Sequence, residues 1–205
     1  MKRFFISDTH FEHSGVINLD QRPFGSVAEM REEMIDKWNR RVSPRDEVYI
    51  LGDFCFSTQT KEWDYLLSAL NGKKFLIKGN HDKLSKAKWE EISHHFEKIA
   101  DYLEINENGQ KIIMSHYPMI CYNGDHKKNT IMLYGHVHDT IEYEQILSIL
   151  NAMRADGRVF PYAGKCYNCW CGLYDWAPAP LQLIIDVNEN DLLENKRMRY
   201  KKGEI

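Results

Sequence analysis

The sequence has no apolar run long enough to cross a bilayer, which takes about 20 residues, and no large excess of charge of either sign. The first three residues lead into a strand-like run that is too short for the apolar core of a signal peptide, so we expect a soluble, cytoplasmic protein. The chain of 205 residues has a formal net charge of −3 and a pI near 6.3. The overall charge of the protein therefore does not attract nucleic acid. Any nucleic acid would have to be bound by a local group of residues.

The sequence also lacks a cysteine pattern typical of a disulfide framework. Five cysteines are an odd number in a chain without a secretion signal. Cys166, Cys169 and Cys171 lie close together, but no second pair of Cys or His ligands follows at the spacing of a zinc ribbon. We therefore expect reduced, partly buried thiols.

Internal repeats and low-complexity tracts are absent too. The length and the hydrophobic content of 43% fit a single globular domain over residues 1–205. Beyond about residue 188 the chain becomes polar and charged, so we expect a charged, frayed C-terminal tail there.

What the sequence does contain is an alternation of strand-like and helical segments. The spacing of apolar residues predicts helices at about residues 26–41, 60–70, 85–95 and 141–153. Short apolar runs between them predict strands, and Asn108-Gly109 predicts the turn of a hairpin. A short strand is expected at 168–173, whereas 183–185 fits either a strand or a helix. This pattern predicts an α/β fold with a mixed sheet, or a pair of sheets, flanked by helices.

One tetrapeptide, Gly79-Asn80-His81-Asp82, follows a buried strand-like run and carries an amide, an imidazole and a carboxylate in succession. Asn offers a neutral oxygen ligand, and His can bind a metal ion or exchange protons. A carboxylate commonly orients a neighbouring His. A solvated polar turn is the alternative interpretation of this segment taken alone.

Four other segments repeat this chemistry where a predicted strand ends. They are Asp8-Thr9-His10, Gly52-Asp53, Ser115-His116 and Gly135-His136-Val137-His138. Five of the nine histidines thus follow strands, where α/β sheets place their ligand sites. Residues two apart in an extended segment lie on the same side, so such a pair can bind one ion together.

These side chains favour a pair of divalent ions. Imidazole, carboxylate and amide ligands without a thiolate suit Mn²⁺ best, with Fe, Zn²⁺ or Ni²⁺ as alternatives, rather than Ca²⁺. The candidate ligands, too many for one tetrahedral ion, are Asp8, His10, Asp53, Asn80, His116, His136 and His138. Two divalent ions that share a carboxylate account for this number of ligands. The two carboxylates, Asp8 and Asp53, would leave the pair of ions with a net charge of about +2. That charge would attract an anion and a bridging hydroxide, as two-metal phosphoester hydrolysis requires.

Together and in this order, the five motifs make the chain similar to the calcineurin-like metallophosphoesterase superfamily, over about two thirds of its length. The opening Ser7-Asp8-Thr9-His10-Phe11, the Arg22-Pro23-Phe24 turn and the 168–178 stretch further resemble the small stand-alone bacterial and phage members. The resemblance implies a sandwich of two mixed sheets with helices outside.

The resemblance also implies a role for each residue of the motifs. One ion would be held by Asp8, His10, Asp53 and His138, and the other by Asp53, Asn80, His116 and His136. His81 would be the unligated acid that protonates the leaving-group oxygen or steadies the phosphate, and Asp82 would orient it.

The chain departs from the protein phosphatases of that superfamily. Phe54-Cys55-Phe56 follows Asp53 where those enzymes have Asp-Arg-Gly, and Asp82 stands where they have Glu. Protein phosphatase activity is therefore not expected. The segment 141–165 resembles an insertion, and its helix is a candidate for part of a lid or a dimer contact.

The leading hypothesis is a hydrolase of phosphomonoesters or phosphodiesters, with a nucleotide as one candidate substrate, in a monomer or homodimer. Arg22 and Tyr117 are candidate substrate contacts. A nuclease or cyclic-nucleotide phosphodiesterase is the alternative, and a nuclease would need a cationic groove. The lysines that could line such a groove are Lys73, Lys74, Lys78, Lys83, Lys86 and Lys88. A non-catalytic scaffold of the same fold is a third interpretation, which the full set of ligands disfavours.

Overall fold

The computed structural model describes residues 1–156 and 164–194. Its strands are β1 (Arg3–Ile6), β2 (Glu47–Ile50), β3 (Lys73–Ile77), β4 (Phe96–Ala100), β5 (Tyr102–Glu107), β6 (Gln110–Ser115), β7 (Thr130–Tyr134) and β8 (Cys166–Asn168). Its helices are α1 (Ser14–Leu19), α2 (Val27–Arg41), α3 (Thr60–Ala69), α4 (Lys86–Ile92), α5 (Ile141–Ala155) and α6 (Leu181–Glu194). Within the described ranges, these strands form two four-stranded sheets.

The first sheet is parallel throughout, in the order β1-β2-β3-β4. Helices α2, α3 and α4 connect its strands and bury their apolar faces on its outer side, where Met34, Trp38 and Trp63 are at most 1% exposed. Helix α2 begins as predicted, because the Ser26 hydroxyl accepts a hydrogen bond from the Glu29 N–H (3.1 Å). The helices predicted at 26–41 and 60–70 are confirmed.

The second sheet is mixed. Strands β5 and β6 form an antiparallel hairpin, and β7 and β8 extend it in parallel. Asn108 and Gly109 at the hairpin turn have φ angles of 49° and 79°, as a type I′ turn requires of both central residues. The predicted hairpin is therefore confirmed.

The two sheets pack face to face. Phe5, Tyr49 and Ile77 of the first sheet are buried against Ile112 and Leu133 of the second. This arrangement confirms an α/β fold with two packed sheets and outer helices. The first sheet is parallel rather than mixed, because each connection between its neighbouring strands contains a helix, and a helical crossover joins parallel strands.

Helix α5 covers the outer side of the second sheet. Tyr143, Leu147 and Leu150 are buried there, in a cluster that also contains Ile113 and Met132 of the sheet. The helix predicted at 141–153 is confirmed, but it is a structural layer rather than part of a lid. Residues 157–163 of the predicted insertion lie outside the described residues.

The polar C-terminal segment is ordered further than predicted. Helix α6 includes 183–185 and continues to Glu194, so the charged tail does not begin at about 188. The Asn188 side-chain oxygen accepts a hydrogen bond from the Asn168 N–H (2.8 Å), and the Tyr143 hydroxyl donates to Asp191 (3.1 Å). These side chains looked solvated in the sequence, but they are buried and satisfied inside the protein. Residues 195–205 lie outside the described residues.

Other local differences concern short elements. Strand β8 ends at Asn168 and a 3-10 turn (Cys171–Tyr174) follows, so the strand predicted at 168–173 is wrong beyond its first residue. Residues 93–95, predicted as the end of a helix, form a 3-10 turn (Ser93–His95) that leads into β4. All five cysteines are free and four are buried, which confirms the reduced thiols. Among the described helices, none combines the length and the apolar character that a bilayer span demands.

Candidate metal centre

The candidate ligands gather where strands of both sheets end. Asp8 follows β1, Asp53 follows β2 and Asn80 follows β3, while His116 and His136 follow β6 and β7. Parallel strands bring their carboxyl ends to one edge of a sheet, so the loops after them converge. The structure therefore brings together all five motifs that the sequence singled out.

The first cluster consists of Asp8, His10 and His138. The Nε2 atoms of the two imidazoles are 3.2 Å apart, and the His138 Nε2 lies 3.5 Å from an oxygen of Asp8. Ligand atoms at this separation leave room for one cation with bonds of about 2.1 Å to each.

The second cluster consists of Asp53, His116 and His136, with Asn80 beside it. The His116 Nε2 lies 3.0 Å from the Asn80 side-chain oxygen and 3.5 Å from the Asp53 Oδ2. The same Asp53 Oδ2 lies 3.7 Å from the His10 Nε2 of the first cluster. One carboxylate oxygen therefore stands between the two clusters.

Hydrogen bonds at the outer nitrogens fix how two of these imidazoles face the clusters. The His116 Nδ1 donates to the Leu51 carbonyl, and the His138 Nδ1 donates to the Asp20 carboxylate. The donor–acceptor distance is 2.8 Å in both hydrogen bonds. Because Nδ1 is the donor in these hydrogen bonds, Nε2 is the nitrogen that faces the cluster, as in metal-binding histidines. Asp20 lies in a polar loop between α1 and α2, and nothing in the sequence had singled it out.

Buried charges in the clusters shift the pKa values of the ligands. Burial alone would lower the pKa of His138, but the carboxylates of Asp8 and Asp20 raise it to about 10. Burial would likewise lower the pKa of His116, which Asp53 and Asp8 raise to about 9. For Asp8, burial opposes ionisation, yet the surrounding imidazoles hold its pKa well below the ordinary range. By contrast, burial lowers the pKa of His10 to about 3 and also lowers that of His136, so positive charge is stabilised at His138 and His116 alone among the four clustered imidazoles.

The backbone is strained at the same residues. Non-glycine residues with positive φ include five of the candidate ligands: Asp8, His10, Asp53, His136 and His138. Such conformations cost about 1–3 kcal/mol each and concentrate at functional sites. The strain therefore supports a functional role for these side chains.

Glycines let the loops approach one another. A Cβ on Gly135 would lie 2.6 Å from the Asp8 Oδ2, and one on Gly52 would lie 2.5 Å from the His116 Nδ1. A Cβ on Gly79 would collide with the Asp53 carboxylate. The glycine in each of these three motifs is therefore required by the close packing of a residue from another motif.

The donor set fits divalent cations. Imidazole nitrogens and carboxylate oxygens converge at separations of 3.2–3.7 Å, so a cation between them would meet both kinds of donor. The mixture of nitrogen and oxygen donors without thiolate suits a first-row transition ion.

Comparison with known proteins agrees with this geometry. The family model of the calcineurin-like phosphoesterase superfamily domain matches residues 1–165. The chain belongs to this superfamily. An uncharacterized protein of Methanocaldococcus jannaschii is 35% identical to this superfamily member over 189 residues, 92% of either chain.

Two solved structures are similar to this superfamily member. A protein of unknown function from Aquifex aeolicus has 28% sequence identity and a TM-score of 0.64, and the match covers 90% of this chain and 98% of that chain. The phosphoesterase YfcE from E. coli has 20% identity and a TM-score of 0.36, over 67% of this chain and 70% of its own.

In this superfamily member, His81 lies at the rim of the two clusters. Its backbone N–H donates to the Asp53 Oδ1 (2.7 Å), which fixes the loop after β3 on the shared carboxylate. Its ring centroid lies 5.3 Å from that of His10 and 5.4 Å from that of Phe56. The half-buried imidazole is thus held beside the candidate ligands.

Asp82 does not orient His81 as predicted. Its carboxylate accepts hydrogen bonds from the backbone N–H groups of Asp53, Phe54 and Gly79, at 2.8–2.9 Å. Burial raises the pKa of this carboxyl to about 6, although these N–H donors favour the ionised form. Asp82 therefore fastens the loops after β2 and β3 to each other.

Arg22 is not placed to contact a substrate. Its guanidinium is fully buried, where it donates to the carbonyls of Asp8 (3.0 Å) and Thr9 (2.7 Å) and to the Asp20 carboxylate (2.8 Å). The residue follows a turn, which looked exposed in the sequence, but its long side chain reaches inward. Arg22 supports the strained loop after β1.

Tyr117 remains available to a ligand. It is 49% exposed, and its ring centroid lies 4.7 Å from that of His136. A cavity of about 400 Å³ opens beside the second cluster, and its lining includes Tyr117, Lys78 and Trp89. This cavity borders Asn80 and His116, so a molecule in it would reach the candidate ligands.

Proposed function

We propose that the protein is a metal-dependent phosphoesterase, a hydrolase that cleaves a phosphomonoester or phosphodiester at a binuclear centre. The observation that carries the proposal is the Asp53 Oδ2, at 3.7 Å from the His10 Nε2 and 3.5 Å from the His116 Nε2. A carboxylate oxygen in this position can serve two ions at once. Membership of the phosphoesterase superfamily supports the same conclusion.

The clusters divide the ligands between two ions. Asp8, His10, Asp53 and His138 would hold the first, and Asp53, Asn80, His116 and His136 the second. Two ionised carboxylates against two divalent ions leave a charge of about +2, which attracts an anionic phosphoester. We propose Mn²⁺ as the resident ion, with Fe, Zn²⁺ and Ni²⁺ as alternatives.

When bound, the ions supply a Lewis acid for the phosphoryl oxygens and lower the pKa of water to about 7. The chain's own residues provide the rest. His81 stands at the rim, where its imidazole can give a proton to the leaving-group oxygen. Phe56 and His13, whose stacked rings have centroids 3.9 Å apart, pack near His81 and limit its movement.

The cavity beside the second cluster is the place we propose for the organic group of the ester. Trp89 and Tyr117 offer aromatic surface, and the Lys78 ammonium, 3.0 Å from Asp101, offers a charge. Aromatic surface next to a cation suits a nucleotide, whose base can stack while a phosphate is bound.

The nuclease alternative has less support. Of the lysines that could form a groove, Lys74 is buried and Lys88 donates to the Thr58 carbonyl (2.6 Å). A nuclease should bind single-stranded oligonucleotide with a steep dependence on salt, and a flat dependence would exclude it. The cytoplasmic location and the oligomeric state stay predictions.

The proposal is tested by turnover of an aryl phosphomonoester and an aryl phosphodiester with Mn²⁺, in protein whose metal content is measured. We expect activity that disappears with chelation and returns with added metal. Absence of turnover by folded, metal-loaded protein with any divalent ion would contradict the proposal.

Two variants separate the roles of binding metal and donating a proton. His81→Ala should keep its metal and lose turnover by about 10²–10⁴-fold, the usual contribution of a general acid. Asp53→Asn should lose both ions, because it removes the shared carboxylate. Equal loss of metal in the two variants would show that the assigned roles are wrong.

A further inference from the structure

A third group of metal-capable side chains lies away from the candidate metal centre, between helix α3 and the 3-10 turn that precedes β4. It consists of Asp64, His94 and His95, whose ligand atoms all lie within 4.8 Å of one another. It shares no residue with the first two clusters. Its side chains lie at the surface, where Asp64 and His94 are exposed and His95 is partly covered.

The geometry of this group is centred on one carboxylate oxygen. The Asp64 Oδ1 lies 2.8 Å from the His95 Nε2 and 4.0 Å from the His94 Nε2. The two imidazole rings have centroids 4.1 Å apart. Shifts of less than about 1 Å would therefore bring all three atoms to the spacing of ligands around one ion, whose bonds are about 2.0–2.2 Å long.

A hydrogen bond fixes the orientation of His94. Its Nδ1 lies 3.0 Å from the Glu91 carbonyl oxygen. A carbonyl can only accept, so Nδ1 must donate and Nε2 carries the lone pair of the neutral imidazole. Nε2 is therefore the nitrogen of His94 that is free to bind an ion, and it lies 4.0 Å from the Asp64 Oδ1. A backbone carbonyl behind the ligating imidazole is the usual support of a metal-binding histidine.

The backbone around the group is held in place without an ion. The Thr60 hydroxyl donates to the Glu91 carboxylate (2.8 Å), which joins α3 to α4. Asp64 lies one helical turn after Thr60, and Glu91 provides the carbonyl that orients His94. The three side chains are therefore presented by elements that already contact each other.

We propose that Asp64, His94 and His95 bind a divalent cation of the imidazole-preferring class, such as Zn²⁺, Ni²⁺ or Cu²⁺. Two imidazoles and one carboxylate favour these ions over Mn²⁺ and Mg²⁺. To bind the ion, the His95 Nε2 gives up the proton that it shares with Asp64, and this proton passes to Nδ1 of the same ring or to solvent. Bound there, the ion links α3 to the turn before β4, and water completes its coordination.

The test counts Zn²⁺ bound per protein after equilibrium dialysis of the full-length chain. We expect Asp64→Asn and His95→Gln each to bind one ion fewer than the wild type. His126→Gln is the matched control, because it removes another exposed imidazole beside a carboxylate, 3.4 Å from Asp125, and should bind as many ions as the wild type. Ions at the candidate metal centre cancel in this difference, so the result is independent of phosphoesterase activity. Equal counts in all four proteins would overturn the site.

A second measurement uses the wild-type protein alone. Cu²⁺ added until the protein holds three equivalents, one more than the candidate metal centre would take, should broaden the backbone amide resonances of Asp64, His94 and His95, and a chelator should restore them. Sharp resonances at all three positions in protein that holds three equivalents of Cu²⁺ would overturn the proposal.

Discussion

At the scale of single residues, the candidate site depends on side chains that do not face the clusters. Asp20 holds His138 through one carboxylate oxygen and Arg22 through the other. Arg22 in turn holds the carbonyl of Asp8. The position of two ligands of the first cluster is therefore determined by a buried ion pair behind them.

This chain of contacts predicts the effect of Asp20→Ala. The change releases His138 from its orientation and leaves Arg22 without its carboxylate, so metal affinity should fall by about 10–100-fold, as is usual when such a support is lost. Isothermal titration with Mn²⁺ measures the affinity. The control is Asp36→Ala, which removes an exposed carboxylate that pairs with Arg40 on α2 and should leave the affinity unchanged. An unchanged affinity in Asp20→Ala would mean that His138 needs no support.

Residue types and spacing were sufficient to predict the candidate ligands that the structure brings together, but not the side chains that support them. Asp8, His10 and His138 follow strands in motifs of three or four residues, which are visible in the chain. The roles of Asp82 and Arg22 depend on which backbone groups their side chains reach after folding. No local pattern records such contacts, so both roles were predicted wrongly.

At the scale of elements, the close approach of β1 and β7 shapes the first cluster. The Asp8 carboxylate accepts hydrogen bonds from the His136 N–H (3.0 Å), so the loops after the two strands are joined directly. Gly135, between β7 and His136, has no side chain to separate them. The position thus couples a strand of the first sheet to a strand of the second.

Gly135→Ala should therefore damage both the site and the fold. The new methyl would lie 2.6 Å from the Asp8 Oδ2 and from the Ser7 Cβ, and overpacking of this kind costs about 1–3 kcal/mol. We expect lower metal content and a lower midpoint of denaturant unfolding. Gly15→Ala in α1 is the control, since its methyl meets only an ordinary contact of 3.4 Å and should not destabilise the protein. If Gly135→Ala were as stable as Gly15→Ala, Gly135 would not be needed for the close approach of β1 and β7.

Elements with local signals were predictable, and elements that depend on tertiary contacts were not. The Ser26 cap and the Asn108-Gly109 turn act within a few residues, so α2 and the hairpin were found. Strand β4 is formed by pairing with β3, and most of its side chains are exposed or partly exposed. Helix α6 buries polar side chains against other elements. Neither segment shows these partners in its own composition.

At the scale of the whole molecule, metal binding should be coupled to protons. The pKa of His138 is raised to about 10 and that of His116 to about 9. Before metal binds, each of these imidazoles is therefore protonated on both nitrogens and positively charged at pH 7. Each ion must displace one proton, and its apparent affinity should rise by up to about tenfold per pH unit between pH 6 and 9. Calorimetry in buffers of different ionisation enthalpy measures the protons released. No release at pH 7 would contradict the protonated state of these imidazoles.

The same shifts predict how the stability of chelator-treated protein depends on pH. Both folded-state pKa values lie above the ordinary value of 6.5. The charged imidazoles of His116 and His138 therefore contribute their full share to the free energy of unfolding below about pH 6.5, and this contribution is lost as the pH rises through about 9 to 10. Unfolding midpoints should therefore fall over this range. The metal-loaded protein is the control and should not show this decline, because its imidazoles carry no proton to lose.

The two sheets of the sandwich are also synthesised one after the other. Sheet β1-β2-β3-β4 can be completed while the later strands are still inside the ribosome, with Phe5, Tyr49 and Ile77 uncovered on one face. The first cluster cannot form until His138 has been synthesised, because this residue lies 128 positions after His10 in the chain. The first cluster could therefore bind a metal ion only after β7 and His138 have emerged and docked. A chain stalled on the ribosome before that point would expose an apolar sheet face and lack a complete metal site.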